Sequence, residues 1–191
     1  GYYWGNHSIC KEGEAVGSFY GYRVIGIYTD ESMFTETKEI PDGNGGTKTV
    51  LKYPRDTDDN GKRVAQLGDY IFEDVNNDGV LDQNDMVILG NGFPTLNYGI
   101  NLGATYKNWD FSVYMYGVFG QDIFSYSAMR LSNMFSSDDG TAPNILTEVA
   151  SAAWSTSNPT GTISRLSMQD KNHNMRASNM WVKNGNFLRL S

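Results

Sequence analysis

Residues 98–119 read YGINLGATYKNWDFSVYMYGVF. Apolar side chains fall on Tyr98, Ile100, Leu102, Ala104 and Tyr106, with Gly99, Asn101, Gly103 and Thr105 between them. After Lys107-Asn108 the phase resets to Trp109, Phe111, Val113, Met115 and Phe119, interleaved with Asp110, Ser112, Tyr114 and Tyr116. A period of two gives each strand one apolar and one polar face. A turn made of Lys107 and Asn108 alone sets Tyr106 opposite Trp109, so the two apolar faces coincide. The stretch predicts a register-locked antiparallel hairpin with arms 98–106 and 109–119.

Two architectures share this pattern. A soluble sandwich alternates in the same way where one face is solvated. A transmembrane barrel turns the apolar face to lipid and the polar face to its lumen. The arms are long enough to cross a bilayer at a tilt. Aromatics sit at the ends of the apolar face beside the short turn, as an interfacial girdle requires. The alternate face is small and polar, like a lumen wall. Periodicity alone leaves both open.

Upstream, residues 74–85 read DVNNDGVLDQND. Oxygen side chains occupy positions one, three, five, nine and twelve of a calcium loop, with glycine at six. The expected donors are Asp74, Asn76, Asp78, the Val80 carbonyl, Asp82 and Asp85. Gly79 permits the sharp turn. An acidic Asn/Gly turn that binds nothing has much the same composition. Asp85 also stands where helix–loop–helix sites prefer a bidentate glutamate. The flanks, residues 70–72 and 87–90, are strand-like, so the expectation is a structural calcium ion held between extended segments.

Composition narrows the function classes. The chain has 191 residues, 15 basic and 22 acidic, for a formal charge of −7. Without a basic stripe, nucleic acid is a poor partner. Cys10 is the only cysteine, so no disulfide forms within the chain. No GxSxG or HExxH motif occurs, and His7 and His173 have no base partner nearby in sequence, so no catalytic residue is assigned. No apolar run reaches the length of a membrane helix, a test that does not bear on barrels. The first residue is Gly1 and the last residues form an apolar run, so the chain reads as a fragment.

Residues 17–28 read as one strand with glycine breaks. Residues 30–68 read as a polar excursion with turns at 42–46 and 58–61 and a small hairpin, one arm at 47–53. Residues 122–140 and 155–177 read as polar loops. Residues 144–154 carry a helical stripe with Asn144 as its cap. Residues 183–186, KNGN, read as a turn between apolar runs. Tyr20, Tyr22, Tyr114, Tyr116 and Trp181 are candidates to stack on sugars, or else girdle and packing residues.

Four spaced stretches together resemble the SusC/RagA family of TonB-linked outer-membrane transporters of Bacteroidetes. They are GSFYGYR at 17–23 leading to GIY at 26–28, and GDY at 68–70 running through the acidic loop to LGN at 89–91. Pro94 and YGINL at 98–102, with FSV at 111–113, form the third. The fourth comprises Trp154, Asn158-Pro159, Arg165, Trp181-Val182 and NGNFLRL at 184–190. The resemblance implies an all-β fold, part of a large antiparallel transmembrane β-barrel with long extracellular loops and a short loop helix. Such a barrel has about 22 strands. Residues 1–191 would be a C-terminal portion of it, without the plug and the final strands. Also implied are an outer-membrane location and import of oligosaccharides or peptides. The partners implied are a SusD-like surface lipoprotein, outer-membrane lipid, and TonB through an N-terminal region outside this chain. A secreted, calcium-stabilised glycan-binding β-module is the alternative.

Overall fold

The long hairpin forms with the expected register. Strands Leu96–Tyr106 and Trp109–Phe119 pair antiparallel, with Tyr106 opposite Trp109, Leu102 opposite Val113 and Ile100 opposite Met115. Asn101 faces Tyr114 and Gly103 faces Ser112 on the other side of the pleat. Lys107 closes the turn at φ +53°, a conformation glycine holds at lower cost. This computed structural model describes residues 2–3, 7–43, 45–134 and 144–190.

The KNGN segment is not a hairpin turn. Its flanks do not pair with each other. Phe187–Leu190 pairs with Met115 to Val118, and Val182–Asn184 pairs with Asp122–Phe124. Residues 182–190 thus run as one broken strand along 115–124. Three residues (119–121) face two (185–186) at the break, a β-bulge. Gly120 sits there at φ +73°, and a Cβ on it would lie 2.4 Å from Thr95 Oγ1. Asn186 Oδ1 accepts from Gln121 N at 3.1 Å, and Gly185 N donates to the Gln121 carbonyl at 2.9 Å. The Asn-Gly chemistry serves a bulge, because the strand partner comes from elsewhere in the chain.

The chain divides into two compact units. The first comprises Gly1–Tyr20, Ile88–Ser125 and Val182–Ser191. Besides the hairpin sheet it holds most of a small sheet ordered Tyr2–Tyr3, Ser8–Cys10, Ser18–Gly21, Val87–Gly90.

The second unit comprises Gly21–Val87 and Tyr126–Trp181. Residues 17–28 are two strands, not one: Val24–Ile27 leaves the first sheet and pairs with Tyr70–Phe72 through an irregular register at Gly26. The polar excursion carries the expected hairpin as Thr37–Pro41 with Thr47–Leu51; Asn44, within its turn, lies outside the described residues. Asp30 caps the 3-10 turn Glu31–Phe34 by accepting from Ser32 N at 2.8 Å. That turn delivers Phe34 to a small core with Tyr28, Ala65 and Ile71. Tyr28 and Phe34 stack at 4.4 Å. Burial pushes the Tyr28 phenol up to about 12.

The loop expected at 122–140 contains Asp122–Phe124 and a helix, Tyr126–Leu131; residues 135–140 lie outside the described residues. The stripe at 144–154 is a helix only over Thr147–Ala152. Leu146 holds its N-cap position without a side-chain bond, so Asn144 is not the cap.

Residues 155–177 contain no strand, yet they are not a solvated loop. Asn172 and Asn174 are buried. Asn174 Oδ1 accepts from Tyr70 N at 3.0 Å, and Asn172 Nδ2 donates to the Tyr70 carbonyl at 3.2 Å. Asp69, fully buried, accepts from Arg165 Nε at 2.7 Å, Asn174 Nδ2 at 3.0 Å and Gln66 N at 2.8 Å. A buried carboxylate persists only when paired and hydrogen-bonded to this degree.

Candidate functional site

The acidic loop forms between Tyr70–Phe72 and Val87–Gly90, as its flanks predict. Gly79 takes φ +87°, and a Cβ there would lie 2.4 Å from Val50 Cβ, so the position requires glycine on both counts. Asp74 is 8 % exposed and accepts from Asp78 N and Gly79 N, each at 3.1 Å. Asp85 is fully buried and accepts from Val75 N at 3.0 Å and Asp82 N at 2.9 Å. With Asp82, whose Oδ1 takes Asn84 N at 2.7 Å, it makes a capping box around the 3-10 turn Gln83–Asp85. Asn76 Oδ1 accepts from Asp78 N at 2.9 Å, and Asp78 Oδ1 accepts from Val80 N at 2.8 Å.

These bonds fold the loop onto itself. Among the described residues no three His, Cys, Asp or Glu side chains gather as a metal-holding group. The expected donors share one loop, whose own N–H groups bond the oxygens of Asp74, Asn76, Asp78, Asp82 and Asp85. The donor chemistry still suits a hard cation, since every candidate ligand is an oxygen. A cation already stands beside it: Lys38 Nζ lies 3.0 Å from Asp74 Oδ2 and donates to Asn77 Oδ1 at 2.8 Å. Sequence spacing within 74–85 carries no trace of Lys38, which arrives from the Thr37–Pro41 strand.

The hairpin presents the other candidate surface. Trp109 is 79 % exposed, Phe111 63 % and Leu190 68 %. Ile100, Leu102, Tyr106 and Leu188 are exposed with them. Cross-strand partners share a face, so Ile100, Leu102, Phe111, Val113 and Leu190 line one continuous apolar side. A water-facing patch of this kind marks a surface that meets something apolar. The opposite side carries Asn101, Asp110, Ser112 and Arg189. Tyr114 and Tyr116 stack there at 6.1 Å, and Arg189 Nη1 donates to Tyr116 Oη at 3.3 Å. The sheet ends in an unpaired edge on both sides among the described residues, along Leu96–Tyr106 and along Phe187–Leu190.

Other candidates resolve into packing. Trp181 is buried and donates to the Arg176 carbonyl at 3.1 Å. Tyr22 packs against Phe72, with the Arg176 guanidinium 4.8 Å from its ring. His173 does have an acidic partner, Asp56 Oδ2 at 2.6 Å, which a separation of 117 positions hides in the sequence. The same Asp56 oxygen also pairs with Arg176, so it is shared between two side chains. Among the described residues no helix is long and apolar enough to cross a membrane, a fact silent about barrels.

Comparison with known proteins adds relatives to this geometry. TonB-dependent receptor P3 of Formosa agariphila is 27% identical over 182 residues, which is 95% of this chain and 15% of that receptor. TonB-dependent receptor P26 of the same organism is 31% identical over 141 residues, 73% of this chain and 13% of the receptor. The chain thus spans less than a sixth of the length of these relatives. No family model matches it. Among solved structures, the RagAB peptide importer in its closed-closed state aligns with the whole chain over 18% of its own, at a TM-score of 0.48 and 17% identity. Bare apolar strands and these relatives define the class, an outer-membrane β-barrel chain that is all-β. Within that class the chain belongs to the TonB-dependent receptors.

Proposed function

We propose that residues 1–191 form a C-terminal part of the barrel wall and extracellular loops of a SusC/RagA-type transporter. The intact protein imports oligosaccharides or peptides across the outer membrane together with a SusD-like surface lipoprotein. TonB drives it through a plug outside this segment. One observation carries the reading: a hairpin with eleven-residue arms and a bare apolar face, in a sheet whose two edges are unpaired among the described residues. Lipid would cover the face and neighbouring strands would pair the edges. A secreted module would instead have to bury that face within itself. On this reading the Lys107-Asn108 turn is periplasmic, and the excursions at the opposite strand ends are extracellular.

The acidic loop, in the same reading, holds a structural calcium ion on Asp74, Asn76, Asp78, Asp82, Asp85 and the Val80 carbonyl. What supports this is the donor spacing, Gly79 at the turn, and the ammonium already drawn to Asp74. Calcium would supply rigidity and no catalysis.

Deleting the gene for the intact protein tests the transport reading. Growth on one polymer or oligomer is expected to stop, with growth on its monomers intact. A purified protein that hydrolyses the polymer, or that fractionates as soluble, would overturn it.

A further inference from the structure

Two open cavities of about 430 and 290 Å³ adjoin in the second unit, sharing Gln66 and Lys171 in their linings. Their sizes lie near or within the range of roughly 300–1,000 Å³ typical of ligand clefts. The lining is cationic in a chain that is acidic overall: Lys62, Arg63, Lys171 and Arg165 face one acid, Asp58. Asp58 Oδ1 accepts from Asn60 N at 2.9 Å and Lys62 N at 2.8 Å. Arg63 pairs with Glu31, and Arg165 with buried Asp69. Lys62 and Lys171 have no ion pair among the described residues, and both are exposed. Gln66 and Gln169, both exposed, line the same cavity.

We propose that these adjoining cavities bind an anionic oligosaccharide, one bearing carboxylate or sulfate groups. The proposal rests on the uptake reading above and names a substrate class for it. Ammonium groups against an acidic background attract an anion locally and exclude neutral competitors by preference. Carboxamides both donate and accept, which matches the hydroxyls of a sugar ring. A peptide is the poorer fit, since no strand lies in the lining to take up an extended backbone.

Calorimetry on the intact detergent-solubilised receptor tests this with four probes. They are a galacturonate tetramer, a sulfated galactose tetramer, a neutral galactose tetramer and a tetraglutamate peptide. At least one anionic sugar is expected to bind about tenfold or more tightly than the neutral one, and less so at high salt. The Lys62→Gln/Lys171→Gln pair should erase that preference. Lys62→Arg/Lys171→Arg, and Lys11→Gln in the other unit, should keep it. Equal binding of neutral and anionic sugars, an unchanged Gln variant, or binding of the peptide alone would each overturn the proposal. The growth and fractionation tests decide uptake separately. A receptor that passes them but shows no anion preference sinks this inference and leaves the uptake reading standing.

Discussion

The long hairpin and the acidic loop satisfy their chains by opposite means. Each arm of the hairpin pairs along its length, yet its apolar face is left largely exposed among the described residues. The loop buries charged oxygens and bonds them to its own N–H groups, and one neighbouring strand adds Lys38 to Asp74. The hairpin needs an apolar solvent to gain from its Leu, Phe and Trp side chains. Each is worth about 1.5–3 kcal/mol when fully removed from water. The loop and the Asp69 hub are stable because a low-dielectric interior strengthens bonds that are completely made. A barrel chain therefore combines a wall defined by what surrounds it with excursions defined by what they contain.

The sharpest test of that contrast is Asp69→Ala. It strands Arg165 and Asn174 without their acceptor, at a cost of about 3–5 kcal/mol. Protease sensitivity of the intact receptor should rise in residues 21–87 and 126–181 while the barrel stays assembled. If the barrel is lost as well, the excursions are not self-contained.

Next comes the wall. Leu102→Arg should cost about 2–4 kcal/mol of membrane stability if that face meets lipid near the midplane. Ser112→Arg, on the opposite face, should cost far less. Heat-modifiable gel mobility after urea titration reads both. Equal effects would remove the distinction between faces.

A third effect depends on pH. The folded state keeps Tyr28 neutral, its phenol raised from 10.0 to about 12 by burial. This contribution is complete below about 10 and disappears as pH rises through about 12. Alkaline melting of the second unit should therefore be less steep over that window in Tyr28→Phe.

A smaller effect tests the loop's cation. Lys38→Met should tighten calcium binding severalfold, since the ammonium occupies Asp74. Calorimetry of the intact receptor showing no calcium binding in either form defeats the calcium reading. The smallest effect is Lys107→Gly, expected to stabilise the turn by about 1 kcal/mol by relieving positive φ.

What the sequence disclosed follows the same division. The hairpin's turn and register were legible because a period of two is local and the turn fixes the pairing, though the first strand starts at Leu96, two residues before the expected 98. The acidic loop's flanks and Gly79 were legible for similar reasons. The fate of 183–186 was not, because Asn-Gly serves a tight turn and a bulge equally, and only a distant partner decides. Lys38 on Asp74, Asp56 on His173 and the amides of 172 and 174 are long-range pairings of polar residues. Composition marks such residues as solvated loop until the chain brings them together.

The two amides at Tyr70 have a chemical consequence. Strand Tyr70–Phe72 has one true partner, and at Tyr70 the other edge is closed by Asn174 and Asn172, which supply the acceptor and the donor of a missing third strand. Side chains mimicking a ladder are vulnerable in a way backbone is not. Deamidation of Asn172 would replace an N–H donor with an oxygen anion facing the Tyr70 carbonyl, turning attraction into repulsion. The ageing of one side chain would then reopen a strand edge to foreign chains.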